Sequence, residues 1–510
     1  VSGAEQLLTA LAAVAASGVA GAALLRARGL AWSWALVPAA AALPVLQLSS
    51  AFGHALLAAS LVAALAGRRR RRRDLRAGGD LAAAARSQRS PADLLAGRLR
   101  GARLARRGWI EGGSLAVGAD ARGQPVWVPL GGASGAHCLL VGATGSGKTV
   151  TETWIACRSI ARGSGAVVVD PKGDPLLREE LARAAGGRFR EWTSEGPAVY
   201  NPYGRGSDTE LADKALAGEH FSEPHYLRQA QRYTAHAVRA MRGAGVAVTP
   251  AGLMAHLDPR TLEASLRRCP PGDAGAGLAY LDSLGERQRR ELAGVRDRLS
   301  ILAESDVRRW LEPGPGRPAL ELPRALRERA VVYFRLDADR RPLLARMLAA
   351  AIVSDLVTVI AAAQREPLQA LVVVDEFAAV AAEQVASLFA RARSAGVSVL
   401  LAAQELADLD AARRGLREQV LGNVASVIAH RQNVPASAET IAALAGTRPA
   451  WLVSRNERGG ETRRRGTEQL LAAEEIGRLP VGWAAVISPG GARPPAIARV
   501  HHPREAPTPG

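Results

Sequence analysis

The run His137-Cys138-Leu139-Leu140-Val141, followed at once by Gly142-Ala143-Thr144-Gly145-Ser146-Gly147-Lys148-Thr149, decides the fold. His137 and the four apolar residues after it make a short strand, and the residues from Lys148 to Arg162 read as a helix, so the glycine-rich loop stands between the two. Glycines let backbone N–H groups turn inward around a phosphate, and the following helix aims its positive end at the same point. Lys148 is placed to reach the outer phosphate oxygens, and the Thr149 hydroxyl suits Mg²⁺. With 52 glycines in the chain a glycine pair is an ordinary event; the added Lys-Thr and the strand-loop-helix context are not. ATP and Mg²⁺ are the expected cofactors.

Working outward, further apolar runs end in polar residues, as the strands of an open α/β sheet do where ligands gather at their carboxyl ends. Ala166-Val167-Val168-Val169 runs into Asp170-Pro171-Lys172-Gly173-Asp174, making Asp170, Lys172 and Asp174 candidate site positions, with an ordinary turn as the alternative. Leu371-Val372-Val373-Val374 ends in Asp375-Glu376: the first suits a Mg²⁺ ligand, direct or through water, and the second a base for the attacking water. The strand Val397 to Ala402 leads to Gln404, placed to sense a γ-phosphate or position water. Another strand, Ala425 to Ala429, leads to His430-Arg431. Arg391, Arg393 and Arg431 are candidates for a cation delivered across a subunit boundary, and Arg431 is the one selected.

Composition sets the limits around this core. The chain has 510 residues, 66 Lys+Arg against 48 Asp+Glu, and a net charge of +18. A hydrophobic share of 48% excludes a disordered polycation, and 4% aromatic residues argue against a protein that grips single strands by base stacking. Cys138, Cys157 and Cys269 are isolated, so neither a disulfide framework nor a zinc site is expected. Lysine occurs only at Lys148, Lys172 and Lys214, every other cationic side chain being arginine. Two of the three fall in the phosphate loop and the Asp170–Asp174 turn.

The organisation along the chain emerges from hydropathy and breaks. Residues 1–73 read as an uncleaved membrane anchor: no charge occurs from Leu7 to Leu25 or, His54 apart, from Leu30 to Gly67, enough for two or three helices across a core of about 30 Å. Three spans would put a tight turn near 47–50, and the arginines at 68–73 place the segment after them on the cytoplasmic side. Residues 74–130 are a linker and the first short strands; 131–205 and 320–487 are the two parts of the nucleotide-binding domain. Residues 206–312, with apolar positions three and four apart, are expected to be an inserted all-α domain. Arg455 to Thr467 reads as a charged loop and 488–510 as a disordered tail.

The ordered set resembles the type IV secretion coupling proteins of the TraG/TraD class. It comprises the anchor, the loop at 142–149, V-V-D-P-K-G-D at 168–174, Asn201-Pro202, V-V-D-E-F at 373–377 and R-S-A-G-V-S-V-L-L-A-A-Q at 393–404. L-G-N at 421–423 and the stretch at 438–446 extend it. That resemblance implies a RecA-like P-loop NTPase of the FtsK/HerA-like superfamily, with helices on both sheet faces. It implies a homo-hexamer, multi-pass in the inner membrane with its ATPase domain in the cytoplasm, driving relaxase-bound single-stranded DNA into a secretion channel. Three alternatives are a double-stranded DNA translocase similar to FtsK or HerA, a coupling ATPase for protein substrates only, and a membrane scaffold with a purely structural nucleotide site.

Overall fold

A computed structural model describes residues 3–27, 32–40, 42, 50–76, 91–121, 123–129, 135–217, 223–363, 366–380, 382–455 and 461–505. Most of the turn expected near 47–50, residues 77–90 of the linker, residues 456–460 of the charged loop and the last five positions lie outside them.

The strands are, in chain order, β1 Ile110–Glu111, β2 Ser114–Asp120, β3 Pro125–Pro129, β4 His137–Val141, β5 Gly165–Asp170, β6 Phe189–Thr193 and β7 Val331–Arg335. They continue with β8 Ala370–Val374, β9 Val397–Ala403, β10 Ser426–Ala429, β11 Thr447–Arg455, β12 Glu461–Gln469, β13 Trp483–Ile487 and β14 Ala496–Val500. One large mixed sheet takes the order β1-β2-β14-β13-β10-β4-β9-β8-β5-β7-β6, with β3 paired to β2. From β10 to β6 every neighbouring pair is parallel. Strands β4, β5, β8 and β9 are buried along their whole length, which is why they read as unbroken apolar runs and not as alternating ones.

Their side chains feed two apolar layers, because successive strand residues point to opposite faces. Cys138, Leu140, Ala166, Val168, Leu371 and Val373 join Trp154, Ile155, Ile160, Leu177 and Leu181 of the helices Lys148–Ala161 and Pro175–Ala185 on one face. Leu139, Val141, Val167, Val169, Val372 and Val374 meet the long helix Pro342–Ala362 and the helix Ala382–Ala392 on the other. Pro342–Ala362 is as long and apolar as a membrane span, yet it is mostly buried against the sheet. This is an α/β P-loop sheet with helices on both faces.

Helices from Asp208 to Ala303 occupy the chain between β6 and β7. The third lysine explains how they are held. Lys214 is 2% exposed and pairs at 2.5 Å with Asp355 of the long helix, which also accepts a 2.8 Å hydrogen bond from the Tyr200 hydroxyl. Lys214 Nζ donates as well to the Arg205 carbonyl at 2.7 Å.

Two segments differ from the sequence reading. The charged loop expected over 455–467 includes β12, which pairs antiparallel with β11 in a separate two-stranded sheet, Leu452 opposite Arg464. Arginine in an exposed strand obscures its register, since no buried face imposes alternation. The tail expected from 488 contains β14, held between β13 and β2. Only Ile497, Ala498 and Val500 are buried there, too few to mark a strand amid prolines.

At the N-terminal end the helices Gly3–Ala27 and Ser50–Arg76 pack side by side, the second continuing through the arginine run. A Cβ on Gly18 would stand 2.7 Å from the Ala59 carbonyl, so glycine allows the close approach. Residues 32–40 between them are helical but far too short to cross a bilayer.

Candidate nucleotide site at the strand tips

Sheet order brings distant motifs together. β9 lies between β4 and β8, and β8 beside β5, so the carboxyl ends of these four parallel strands are contiguous. The loop 142–147, Gln404, Asp375-Glu376 and the Asp170–Asp174 turn therefore converge on one cavity of about 480 Å³. It is lined by Ala143, Thr144, Gly145, Gly147, Lys148, Thr149, Lys172, Asp174, Asp375, Glu376 and Gln404, among others.

The loop is held open from behind. Gly142 N–H donates to the Gln404 carbonyl at 3.1 Å, Ala143 N–H to the Arg431 carbonyl at 3.0 Å, and Gly482 N–H to the Ser146 carbonyl at 3.0 Å. Gly147 has φ 105° and caps the helix with no side-chain bond; an L side chain there would be strained and would meet Gly482 N at 3.1 Å. A Cβ on Gly142 would stand 2.6 Å from that of His430, whose Nε2 lies 2.8 Å from the Thr151 hydroxyl.

Lys148 Nζ is buried and makes no hydrogen bond, lying 3.7 Å from Asp375 Oδ1 and 3.9 Å from Glu376 Oε1. A buried ammonium with unused donors beside a glycine cradle fits a phosphate ligand, and the hydroxyl and carboxylates beside it fit the accompanying cation. Glu376 has φ 46°, a backbone conformation uncommon outside glycine, as residues at functional turns often show. Its Oε1 receives Lys172 Nζ at 2.5 Å and Gln404 Nε2 at 2.8 Å. Burial works to raise the Glu376 carboxyl, but the bonds from Lys172 and Gln404 and the charges of Lys172 and Lys148 hold it below the usual range. Asp375 goes the other way: burial, opposed by Lys148 and reinforced by Asp170 and Glu376, pushes it up to about 6. Gln404 also accepts from the Thr144 hydroxyl at 3.3 Å, joining loop and base.

Two candidates serve the backbone. Asp170 is fully buried and accepts from the N–H groups of Lys172, Gly173 and Asp174 and from the Tyr333 hydroxyl, so it shapes the turn. Asp174, at the cavity wall, caps the helix Pro175–Ala185 through Leu177 N–H. Lys172 is the residue of the turn whose side chain meets Glu376. Arg431 does not line the cavity, and its Nε is buried without a partner. Arg393 donates to the Asn423 carbonyl at 3.2 Å, and Arg391 lines a different groove. Sequence reasoning missed Val481, which borders the cavity, and Glu152, buried in the P-loop helix.

Residues 369–481 match the family model described as the TraM recognition site of TraD and TraG. This part of the chain resembles TraD and TraG. Solved structures extend the likeness well beyond the TraG/TraD segment. The bacterial conjugative coupling protein TrwB matches with a TM-score of 0.56 at 19% identity, over 79% of this chain and 91% of that one. TrwB with ADP and Mg²⁺ matches with a TM-score of 0.53 at 19% identity, over 79% and 92%. VirB4 of Thermoanaerobacter pseudethanolicus matches with a TM-score of 0.51 at 16% identity, over 77% and 97%. At these identities the likeness is one of fold. No curated protein matches the chain.

Two histidines beside this core give a pH prediction. Burial, aided by Arg393 for His137 and by Lys148 for His430, lowers both to about 4. Between that value and the unfolded value near 6.5 the unfolded chain binds more protons, so stability falls as pH drops through this window. Each histidine contributes on the order of 3 kcal/mol at most. The melting temperature of the full chain should be flat above about pH 7 and fall toward pH 4.5, less steeply in His430→Asn; equal slopes would remove His430 from the account.

Proposed function

We propose that this chain is a Mg²⁺-dependent ATPase of the conjugative coupling type, which uses hydrolysis to move relaxase-bound single-stranded DNA toward a type IV secretion channel. One observation carries the reading: a buried Lys148 that makes no hydrogen bond, set in a glycine cradle, faces Asp375, Glu376 and Gln404 at contiguous strand ends. Support comes from the TraG/TraD segment and from the fold shared with TrwB, a plasmid coupling protein described with ADP and Mg²⁺ and with a non-hydrolysable ATP analogue.

Bound Mg²⁺·ATP would supply the transferable phosphoryl group and the cation that offsets its charge. The backbone of Gly142 to Thr149 wraps the phosphates and Lys148 turns its free donors to them. Thr149 and Asp375 hold the cation. Glu376 would take a proton from the attacking water as its oxygen bonds to the γ-phosphorus and the bond to the ADP oxygen breaks, and Gln404 links that carboxylate to Thr144 of the loop. Arg431, outside its own cavity, acts on the nucleotide of a neighbouring subunit in a homo-hexamer. Helices Gly3–Ala27 and Ser50–Arg76 are two spans of the inner membrane, with the arginine run and the ATPase domain on the cytoplasmic side. Residues 206–312 form the inserted module.

Phosphate release by the purified full chain tests this. Single-stranded DNA should stimulate it severalfold, and Lys148→Ala should abolish it in every condition. Stimulation by duplex DNA alone would move the protein to the double-stranded pumps. Stimulation by a protein substrate, with none by DNA, would leave a protein-coupling ATPase.

A further inference from the structure

One acid at this site is unaccounted for by the roles above. Glu152 lies three residues after Thr149 and four after Lys148, so it shares their face of the P-loop helix. It is fully buried, and neither carboxylate oxygen has a hydrogen-bond partner. Burial foremost, then the carboxylates of Asp375 and Asp170, push its carboxyl far above the usual range, with Lys148 pulling the other way. The helix that carries Glu152 packs against β5 and β8, and the fully buried Glu152 lies beneath the cavity surface and does not line it. Its helix neighbours Trp154, Ile155 and Ile160 fill the apolar layer, and an alanine or leucine at 152 would do so without any buried charge.

Among the described residues no three Asp, Glu, His or Cys side chains gather closely enough to hold a metal unaided. A divalent ion here must arrive with phosphates and keep much of its water shell, as Mg²⁺ does. Its charge reverses the local electrostatics: acids whose ionisation is mutually disfavoured in the free protein become favourable as anions near a dication. We propose that Glu152 is an outer carboxylate for the nucleotide-bound divalent cation, accepting a hydrogen bond from one of the ion's waters behind Thr149 and Asp375. The assignment rests on the Mg²⁺·nucleotide reading of the loop and adds a positioning residue to it.

The test is binding without turnover. The full chain is titrated with a fluorescent ADP in EDTA, and then with Mg²⁺ at fixed nucleotide. Glu152→Gln should leave affinity in EDTA within about twofold and raise the Mg²⁺ half-saturation concentration about tenfold or more, in the range seen when a metal ligand loses its hydrogen-bond partner. Glu152→Asp, which keeps the charge with a shorter reach, should lie between the two. An unchanged half-saturation in Glu152→Gln overturns the proposal and leaves a neutral buried carboxyl that only fills space. Should Glu152→Gln fail to fold by circular dichroism, Glu152→Asp decides: a rise of severalfold supports the role, and an unchanged value overturns it. Failure of the wild-type chain to bind the ADP at all would instead remove the nucleotide reading.

Discussion

Glu376→Gln is expected to lower nucleotide hydrolysis by about a hundredfold to ten-thousandfold, the range for loss of a general base, while nucleotide affinity changes by less than about threefold. The substitution keeps the shape of the side chain but removes the charge toward which Lys172 Nζ, at 2.5 Å, and Gln404 Nε2, at 2.8 Å, are directed. Its carboxyl is held below the ordinary glutamate range by those groups and Lys148, against the effect of burial, so it is ionised throughout the neutral range and ready to accept a proton. The glycine loop and Lys148, to which the phosphates are assigned, are untouched by the substitution, which is why binding survives. Single-turnover phosphate release alongside fluorescent-nucleotide binding separates the two effects. A Glu376→Gln chain that hydrolyses at the normal rate would take this residue out of the base role.

Lys214→Met is expected to destabilise the protein by about 3–5 kcal/mol, the range for breaking one side of a buried ion pair. Asp355 is 3% exposed, and burial already raises its carboxyl against the lowering influence of Lys214 and the Tyr200 hydroxyl. Without the ammonium it is a buried acid with one hydroxyl partner. The loss should fall where the helix Asp208–Ala215 meets Pro342–Ala362, seen as faster hydrogen exchange and proteolysis in both. Lys214→Met with Asp355→Leu should recover most of the stability, because an apolar pair needs no compensating charge. A single variant as stable as wild type would mean that the pair holds nothing together.

The parts of this protein legible from residue order are those whose geometry is local. The loop Gly142–Thr149 carries its own spacing, and the apolar runs before Asp170, Asp375 and Gln404 announce strands buried on both faces because only Ser398, near the start of the last, interrupts them. The β12 and β14 segments escaped because the first is exposed and the second, though held between two strands, is short and broken by the exposed Arg499, so neither has such a signature. Asp170 stayed open between a site position and an ordinary turn because a carboxylate at a strand end has the same sequence appearance whether it faces a ligand or, as here, three N–H groups of its own turn.

By itself, then, the order of residues determined the phosphate loop, the acids and glutamine that answer it, and the scarcity of lysine that marked three positions. Only the tertiary structure decided what those lysines do. Lys172 grips Glu376 across 204 positions of chain, and Lys214 meets Asp355 across 141. The burial of Glu152 depends on β5 and β8 packing against the P-loop helix. The physical reason is that a buried charge is defined by what surrounds it. Backbone cradles are built from neighbours in sequence, whereas the partners of a buried charge are brought to it by the order of strands in the sheet.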